Sequence, residues 1–175
     1  TPTELIGSVK IWCAITSLYN EDLLEARRKA GEDVWLYVCC GPRPPFANFF
    51  IDQQGVDHRV LFWQAWQRHA TGVLYWRVNY WYGLLPTTGD EPRWPDVPWD
   101  CEKLTTYREF KVNGDGWLIY PGRDWTPLPS VRLENIRDGI EDYEYLWLLR
   151  ELDPENKLLV VGDDISQSLT KYCRD

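Results

Sequence analysis

The residues best placed to do chemistry in this chain are rings and amides at the ends of β-rich runs. Trp12 lies in the first such run, with Ser17 and Tyr19 just beyond it. Tyr37 lies at the end of the second, and Trp76, Asn79, Tyr80 and Trp81 at the end of the third. Tyr120 ends a fourth. Flat rings can pack on the C–H faces of sugars, and a phenol or amide beside them can hydrogen-bond hydroxyls. Any one of these rings could equally be sheet filling. Together they predict a lined pocket, with Trp12, Tyr37, Trp76, Asn79 and Tyr120 as its walls.

The carboxylates invite a different reading. Asp90-Glu91 is an adjacent acidic pair, but Gly89 and Pro92 flank it as they would an ordinary turn. Glu134, Arg137, Asp138, Glu141 and Asp142 fall at helical spacings, with Arg137 and Glu141 one turn apart, so ion pairing on a helix surface is expected. His58 and His69 have no metal-ligand companions, and neither a Ser-His-Asp nor a Cys-His arrangement is supported. Gly114-Asp115-Gly116 lacks the spacing and the following helix of a phosphate loop. No cofactor and no metal is expected. The five cysteines, Cys13, Cys39, Cys40, Cys101 and Cys173, form no C-x-x-C pair. Those in strand-like runs read as small buried hydrophobes, and a Cys101–Cys173 bridge has no independent support.

The elements that would position these groups alternate. Val9 to Ile15 reads as a strand, Glu21 to Ala30 as a helix capped by Asn20 and stopped by Gly31, and Val34 to Cys39 as a strand. That is a βαβ unit. A proline-rich loop from Gly41 to Asn48 follows, then a helix from Asp57 to about His69 and a strand from Gly72 to Val78. Residues 83 to 113 carry Pro86, Pro92, Pro95 and Pro98 together with Trp94, Trp99, Tyr107 and Phe110, which predicts an ordered loop. Trp117 to Tyr120 reads as a fourth strand. Ser130 caps a long helix from Val131 to about Leu152 whose apolar stripe is Leu133, Ile136, Ile140, Tyr143, Leu146 and Leu149. A short helix is expected from Ile165 to Tyr172.

This order predicts an α/β fold with four parallel strands and covering helices. A closed barrel needs eight strands and about 250 residues, so 175 residues suit half a barrel or a small open sheet. The chain has no Met and opens almost directly into an apolar strand, which reads as a piece of something larger. The net charge of −8 argues against a nucleic-acid partner, since that affinity comes from basic residues. No run approaches the roughly 20 apolar residues of a membrane span. The 11 Trp and 10 Tyr suit either a large core or a surface that stacks on ring-shaped ligands such as sugars.

Three segments are similar to one family. They are Gly72-Val-Leu-Tyr-Trp-Arg-Val-Asn-Tyr-Trp81, Gly114-Asp-Gly-Trp-Leu-Ile-Tyr-Pro-Gly122, and Pro129-Ser-Val-Arg-Leu-Glu-Asn-Ile-Arg-Asp-Gly-Ile-Glu-Asp-Tyr-Glu-Tyr-Leu146. Val34 to Val38, followed by the proline-rich loop and Asn48, fits as well. The chain resembles the C-terminal part of the glycoside hydrolase family 123-like catalytic domain from about residue 9 to 150. The resemblance implies the last four βα units of a (β/α)8 barrel, the rest of that barrel lying upstream as partner. It implies a carbohydrate substrate, with cleavage of terminal β-linked N-acetylgalactosamine. It also implies a retaining mechanism in which the substrate's own acetamido group is the nucleophile. In that family an Asp-Glu pair on the fourth strand assists: the Asp orients the acetamido group and the Glu acts as general acid. Nothing here matches that strand, so the catalytic residues are expected upstream of Thr1, with Tyr37 touching the acetamido oxygen and Trp76 its methyl. A small residue is expected where Arg77 stands. A secreted or periplasmic location is implied too. A non-catalytic carbohydrate-binding or structural module, or a glycosidase of other specificity, remains the alternative.

Overall fold

The computed structural model describes residues 3–80, 113–122, 126–153, 155 and 157. Three parallel strands, β1 (Ile11–Ile15), β2 (Asp33–Val38) and β3 (Gly72–Tyr75), form one sheet in the order β1-β2-β3. Trp12 pairs with Val34, Tyr37 with Leu74, and Val38 with Tyr75. Helix α1 (Glu21–Lys29) crosses from β1 to β2, and α2 (Gly55–Gln67) from β2 to β3. The sequence signals at both ends of α1 hold. The Asn20 side chain accepts the Leu23 N–H at 2.9 Å, and Gly31 follows with a φ of +81°. Glu21 and Asp22 in the first turn and Arg27, Arg28 and Lys29 in the last complement the helix dipole.

The expected fourth parallel strand does not form. After β3 the chain passes Val78, whose carbonyl accepts the N–H groups of both Leu118 and Ile119 at 2.9 Å. Asn79 and Trp117 then meet as an antiparallel bridge. Ile119–Pro121 (β4) pairs antiparallel with Pro127–Pro129 (β5) as a two-stranded ribbon. Pro121, Pro127 and Pro129 lack N–H donors, so neither strand of this ribbon can form a full ladder on its outer side. β3 is also shorter than the apolar run suggested, and α2 begins at Gly55, with Asp57 in its first turn and not at the cap. The loop through 83–112 and the helix expected at Ile165 to Tyr172 lie outside the described residues.

Strand alternation splits the sheet into two unlike faces. Val34, Leu36 and Val38 of β2 are almost fully buried beneath the helices, with Trp12 and Ala14 of β1 and Leu24 of α1 alongside. Val60, Leu61 and Ala65 of α2 complete that layer. The opposite face carries Ile11 (47% exposed), Cys13 and Leu74 (42% exposed), with Trp35 and Tyr37 half-buried. Cys13 is therefore not the buried hydrophobe expected. A run in which every residue is apolar does not show which half points inward, and Cys13 falls on the open half. Gly72 is required on this face: a Cβ there would sit 2.8 Å from the Trp35 ring.

The long helix α3 (Val131–Leu152) starts where Ser130 accepts the Leu133 N–H at 3.2 Å, and it packs along α2. The seam runs through Ile136, Gly139 and Leu146, all buried, whereas Ile140 is 46% exposed, against the expected stripe. Asp142 ties the two helices. It takes both Nε (2.5 Å) and Nη2 (2.6 Å) of Arg59 and the indole N–H of Trp63 (2.8 Å). Burial alone would raise its pKa, but the Arg59 and Trp63 hydrogen bonds outweigh that and hold the carboxyl below the usual range. Tyr143 donates its hydroxyl to the Ala70 carbonyl at 3.0 Å. Arg137 pairs with Glu134 (2.5 Å), Asp138 (3.2 Å) and Glu141 (3.6 Å) on the exposed side, as its spacing predicts. Asp142 thus fastens α3 to α2, and the Arg137 pairs stay within α3.

His58 on α2 is buried at 3% exposure, with Nε2 3.0 Å from the Phe50 carbonyl and Nδ1 3.4 Å from the Asn135 amide nitrogen. The Phe50 carbonyl can only accept, so Nε2 carries the proton and Nδ1 takes the amide N–H. Burial lowers the His58 pKa below the ordinary 6.5, since the charged form is the one desolvation penalises. Below pH 6.5 the unfolded chain therefore binds a proton that the native chain does not. This contribution to stability is fully present above that pH and declines as pH falls, by at most about 1.4 kcal/mol per pH unit. Urea unfolding of the native chain and His58→Gln across pH 5 to 7.5 should show the native-minus-variant difference shrinking toward acid. A flat difference would contradict this protonation state.

Candidate functional site at the strand tips

The tips of β2 and β3 converge on a carboxylate that the sequence reading passed over. Trp76, the first residue after β3, donates its indole N–H to Asp115 Oδ1 at 2.9 Å. Tyr75, the last residue of β3, donates its hydroxyl to the same oxygen at 2.9 Å. The Tyr75 oxygen in turn accepts the Gly116 N–H at 2.5 Å. Asp115 is 3% exposed and sits between Gly114 and Gly116, whose φ angles are +75° and +77°. Only glycine takes two such positions readily, and a Cβ at Gly116 would meet the Trp76 ring at 2.8 Å. The Gly-Asp-Gly turn is therefore a device for placing a carboxylate under Trp76. Burial pushes the Asp115 pKa up, opposed by the Trp76 and Tyr75 hydrogen bonds and by the positive charge of Arg132. Burial followed by that carboxylate raises the Tyr75 phenol strongly.

Tyr37, near the end of β2, belongs to the same neighbourhood. Its phenol is pushed up to about 12, first by burial, then by the Cys39 thiol beside it, then by the charge of Asp115. It stays a protonated donor throughout the neutral range, as a hydroxyl meant to hydrogen-bond an acceptor must be. The Trp76 ring lies 5.1 Å from that of Tyr80, with the Arg77 guanidinium 5.7 Å from the Tyr80 ring centre.

Behind Asp115 stands Arg132, the second residue of α3 and 6% exposed. Its Nη1 donates to the carbonyls of Phe49 (2.5 Å) and Gly114 (2.9 Å). Its Nη2 donates to the Trp117 carbonyl and to Tyr120 Oη, the latter at 3.1 Å. One guanidinium therefore gathers the loop before α2, the Gly-Asp-Gly turn and β4.

The five predicted wall residues are not all brought together. Trp76 hydrogen-bonds Asp115, and Tyr37 lies near enough to feel its charge. Tyr120 reaches that cluster through Arg132, and it also lines a separate cavity of about 390 Å³ with Ile51, Leu128, Pro129, Ser130, Val131 and Arg132. Asn79 is exposed, and its backbone bridges to Trp117. Trp12 is on the helix-covered face, 4% exposed, with its indole N–H donated to Glu32 at 2.6 Å. The register pairs Trp12 with Val34, three residues before Tyr37, which puts it on the face opposite Tyr37. Asn48 is buried and spends its amide on the carbonyls of Cys39 and Pro42, both at 2.9 Å. Asp90, Glu91, Trp81, Cys101 and Cys173 lie outside the described residues. Among the described residues no group of three or more His, Cys, Asp or Glu could hold a metal ion, and no helix is long and apolar enough to cross a membrane.

Comparison with known proteins adds to this geometry. The chain resembles a solved structure of a family 123 glycoside hydrolase from Clostridium perfringens, determined for the details of glycolipid glycan hydrolysis. The TM-score is 0.65 at 21% identity, covering 88% of this chain and 25% of that one, so this chain spans about a quarter of its solved relative. No curated protein matches. The family model of the glycoside hydrolase 123 catalytic domain matches residues 6–149, most of the sequence and every element around Asp115. The chain belongs to the glycoside hydrolase 123 catalytic domain family.

Proposed function

We propose that this chain is the C-terminal arc of a (β/α)8-barrel glycosidase acting on terminal β-linked N-acetylgalactosamine or a related hexosamine. In this reading the substrate's acetamido group is the nucleophile, and an Asp-Glu pair elsewhere in the barrel orients it and supplies the proton. The observation that supports the reading is the hydrogen bonding of Tyr75 and Trp76 to buried Asp115 at the carboxyl end of a parallel strand, with the Tyr37 phenol near enough to feel that charge. Ligands of barrels and open α/β sheets bind at those ends. Trp76 offers a ring face to the acetamido methyl, Tyr37 a hydroxyl to its oxygen, and Asp115 fixes the indole's orientation. The open apolar face with Ile11, Cys13 and Leu74 suits a barrel interior that further strands would close.

The test uses an aryl β-N-acetylgalactosaminide. Residues 1–175 alone should not turn it over, because this reading places the assisting pair elsewhere in the barrel. In the intact enzyme Trp76→Ala should lower kcat/KM roughly ten- to hundredfold, the equivalent of about 1–3 kcal/mol of lost contact. Its effect on the unfolding midpoint should be smaller. Equal losses in both would reduce Trp76 to a core residue. Turnover by the isolated segment would move catalysis into these residues. Sugar binding without turnover by the intact protein would favour a carbohydrate-binding module instead.

A further inference from the structure

The chain carries two adjacent cysteines at the tip of β2 that the glycosidase reading does not use. In an extended strand, neighbouring side chains point to opposite faces. Cys39 and Cys40 do not: their sulfurs are 3.9 Å apart, because β2 stops at Val38 and the backbone bends at once. The bend is held from both sides. The Cys39 N–H donates to the Gly41 carbonyl at 2.8 Å, and the Cys39 carbonyl accepts the buried Asn48 amide at 2.9 Å. Both thiols are free and half-buried. They adjoin Tyr37, whose phenol feels the Cys39 thiol directly.

We propose that Cys39 and Cys40 form an oxidisable dithiol that closes to a vicinal disulfide under attack by a small-molecule disulfide. The first thiolate attacks one sulfur of the oxidant, forming a mixed disulfide and releasing one small thiol. The second then attacks the protein sulfur of that mixed disulfide and expels the other small thiol. Two protein S–H bonds and one S–S bond are exchanged for one protein S–S bond and two small-molecule thiols. The sulfurs must move from 3.9 Å to about 2.0 Å, a local change within a bend already turned the right way. Burial, followed by the neighbouring Cys39 thiol, pushes the Cys40 thiol up to about 11, so closure accelerates as pH rises. Closure would remove the Cys39 thiol from the Tyr37 hydroxyl and so couple the oxidation state to the strand-tip cluster.

The experiment uses the reduced chain, excess oxidised glutathione, N-ethylmaleimide to trap remaining thiols, and peptide mapping. Arg43 precedes Pro44, which blocks trypsin, so the peptide spanning 30–59 holds Cys39 and Cys40 and no other cysteine. The expected result is that this peptide carries neither maleimide nor glutathione, is lighter by two hydrogens, and regains both thiols on reduction. In the folded chain the raised Cys40 thiol opposes the preorientation of the bend, so the closure rate should keep climbing as pH rises toward about 11. Cys39→Ser should stop at a mixed disulfide on Cys40. A native peptide that keeps two maleimides or a stable glutathione adduct, or that closes only in urea, overturns the proposal. The peptide bearing Cys13, a lone thiol, serves as the internal control for reagent access.

Discussion

Arg132→Met is expected to cost about 3–5 kcal/mol, the range for removing one partner from a buried charged network. Methionine fills much of the volume that the arginine stem occupies, so the loss is electrostatic and not one of packing. Four acceptors lose a donor at once: the carbonyls of Phe49, Gly114 and Trp117, and Tyr120 Oη. The Gly114 carbonyl keeps the Trp117 N–H at 3.0 Å, but the Phe49 and Trp117 carbonyls lie where water has little access, and each buried unpaired group costs about 1–3 kcal/mol. Asp115 also loses the positive charge that opposes its burial, which pushes its carboxyl further upward. A compensating gain exists, since a cation in the first turn of α3 opposes the helix dipole, but that is worth only about 0.3–1 kcal/mol. The deficit wins. Urea unfolding should show a lower midpoint with little change in slope, and intrinsic fluorescence should report a loosened Trp76. Arg132→Lys should recover part of the loss, because one ammonium cannot span the four acceptors that the forked guanidinium does. A midpoint unchanged by Arg132→Met would mean the cage does not hold the turn in place.

This cage also marks the limit of what the sequence makes legible. Capping is local chemistry, so Asn20 and Ser130 announced the starts of α1 and α3, and both are where their side chains predicted. The βαβ alternation likewise gave three parallel strands in order. Facing is a different matter. Ile11-Trp12-Cys13-Ala14-Ile15 is apolar throughout, so its pattern carries no alternation to say that Trp12 faces the helices and Cys13 the open side. The fourth strand failed because pairing is set by a partner and not by apolar content; the Val78 carbonyl and the prolines of β4 and β5 send that run into a ribbon. Asp115 was visible but was weighed only as part of a phosphate loop. Its signal was a lone acid between two glycines, directly before an aromatic strand and a few residues upstream of an arginine at a helix start. That pattern asks for a buried carboxylate in a tight turn. Strand-tip position selects Tyr37, Trp76 and Trp12 alike but carries no facing, and Trp12 lies on the face opposite Tyr37.

Gly139→Ala puts two opposed effects in direct competition. Alanine is the better helix former by about 0.8–1.0 kcal/mol, and residue 139 is in the middle of α3, where that preference applies in full. On an exposed face the substitution would stabilise. Here the added Cβ would sit 2.5 Å from Cδ2 of Phe62 and 2.9 Å from the backbone oxygen of Arg59. The Phe62 ring can turn, but the Arg59 carbonyl belongs to the body of α2 and cannot yield unless the helices separate. Separation is resisted by the Asp142 fastener to Arg59 and Trp63, one turn along the same seam. Overpacking a close-fitting seam costs about 1–3 kcal/mol, occasionally more, so the clash outweighs the helix gain. The expected outcome is a net loss of about 1–2 kcal/mol in urea unfolding, with unchanged helical signal in far-ultraviolet circular dichroism. Coupling distinguishes this from a simple local defect. Asp142→Ala frees α3 to move away from α2, so in that background the further cost of Gly139→Ala should fall, giving a nonadditive double-mutant cycle. Additive losses, or a stabilised Gly139→Ala chain, would show that α2 and α3 are not held as close as the Arg59 carbonyl and Gly139 require.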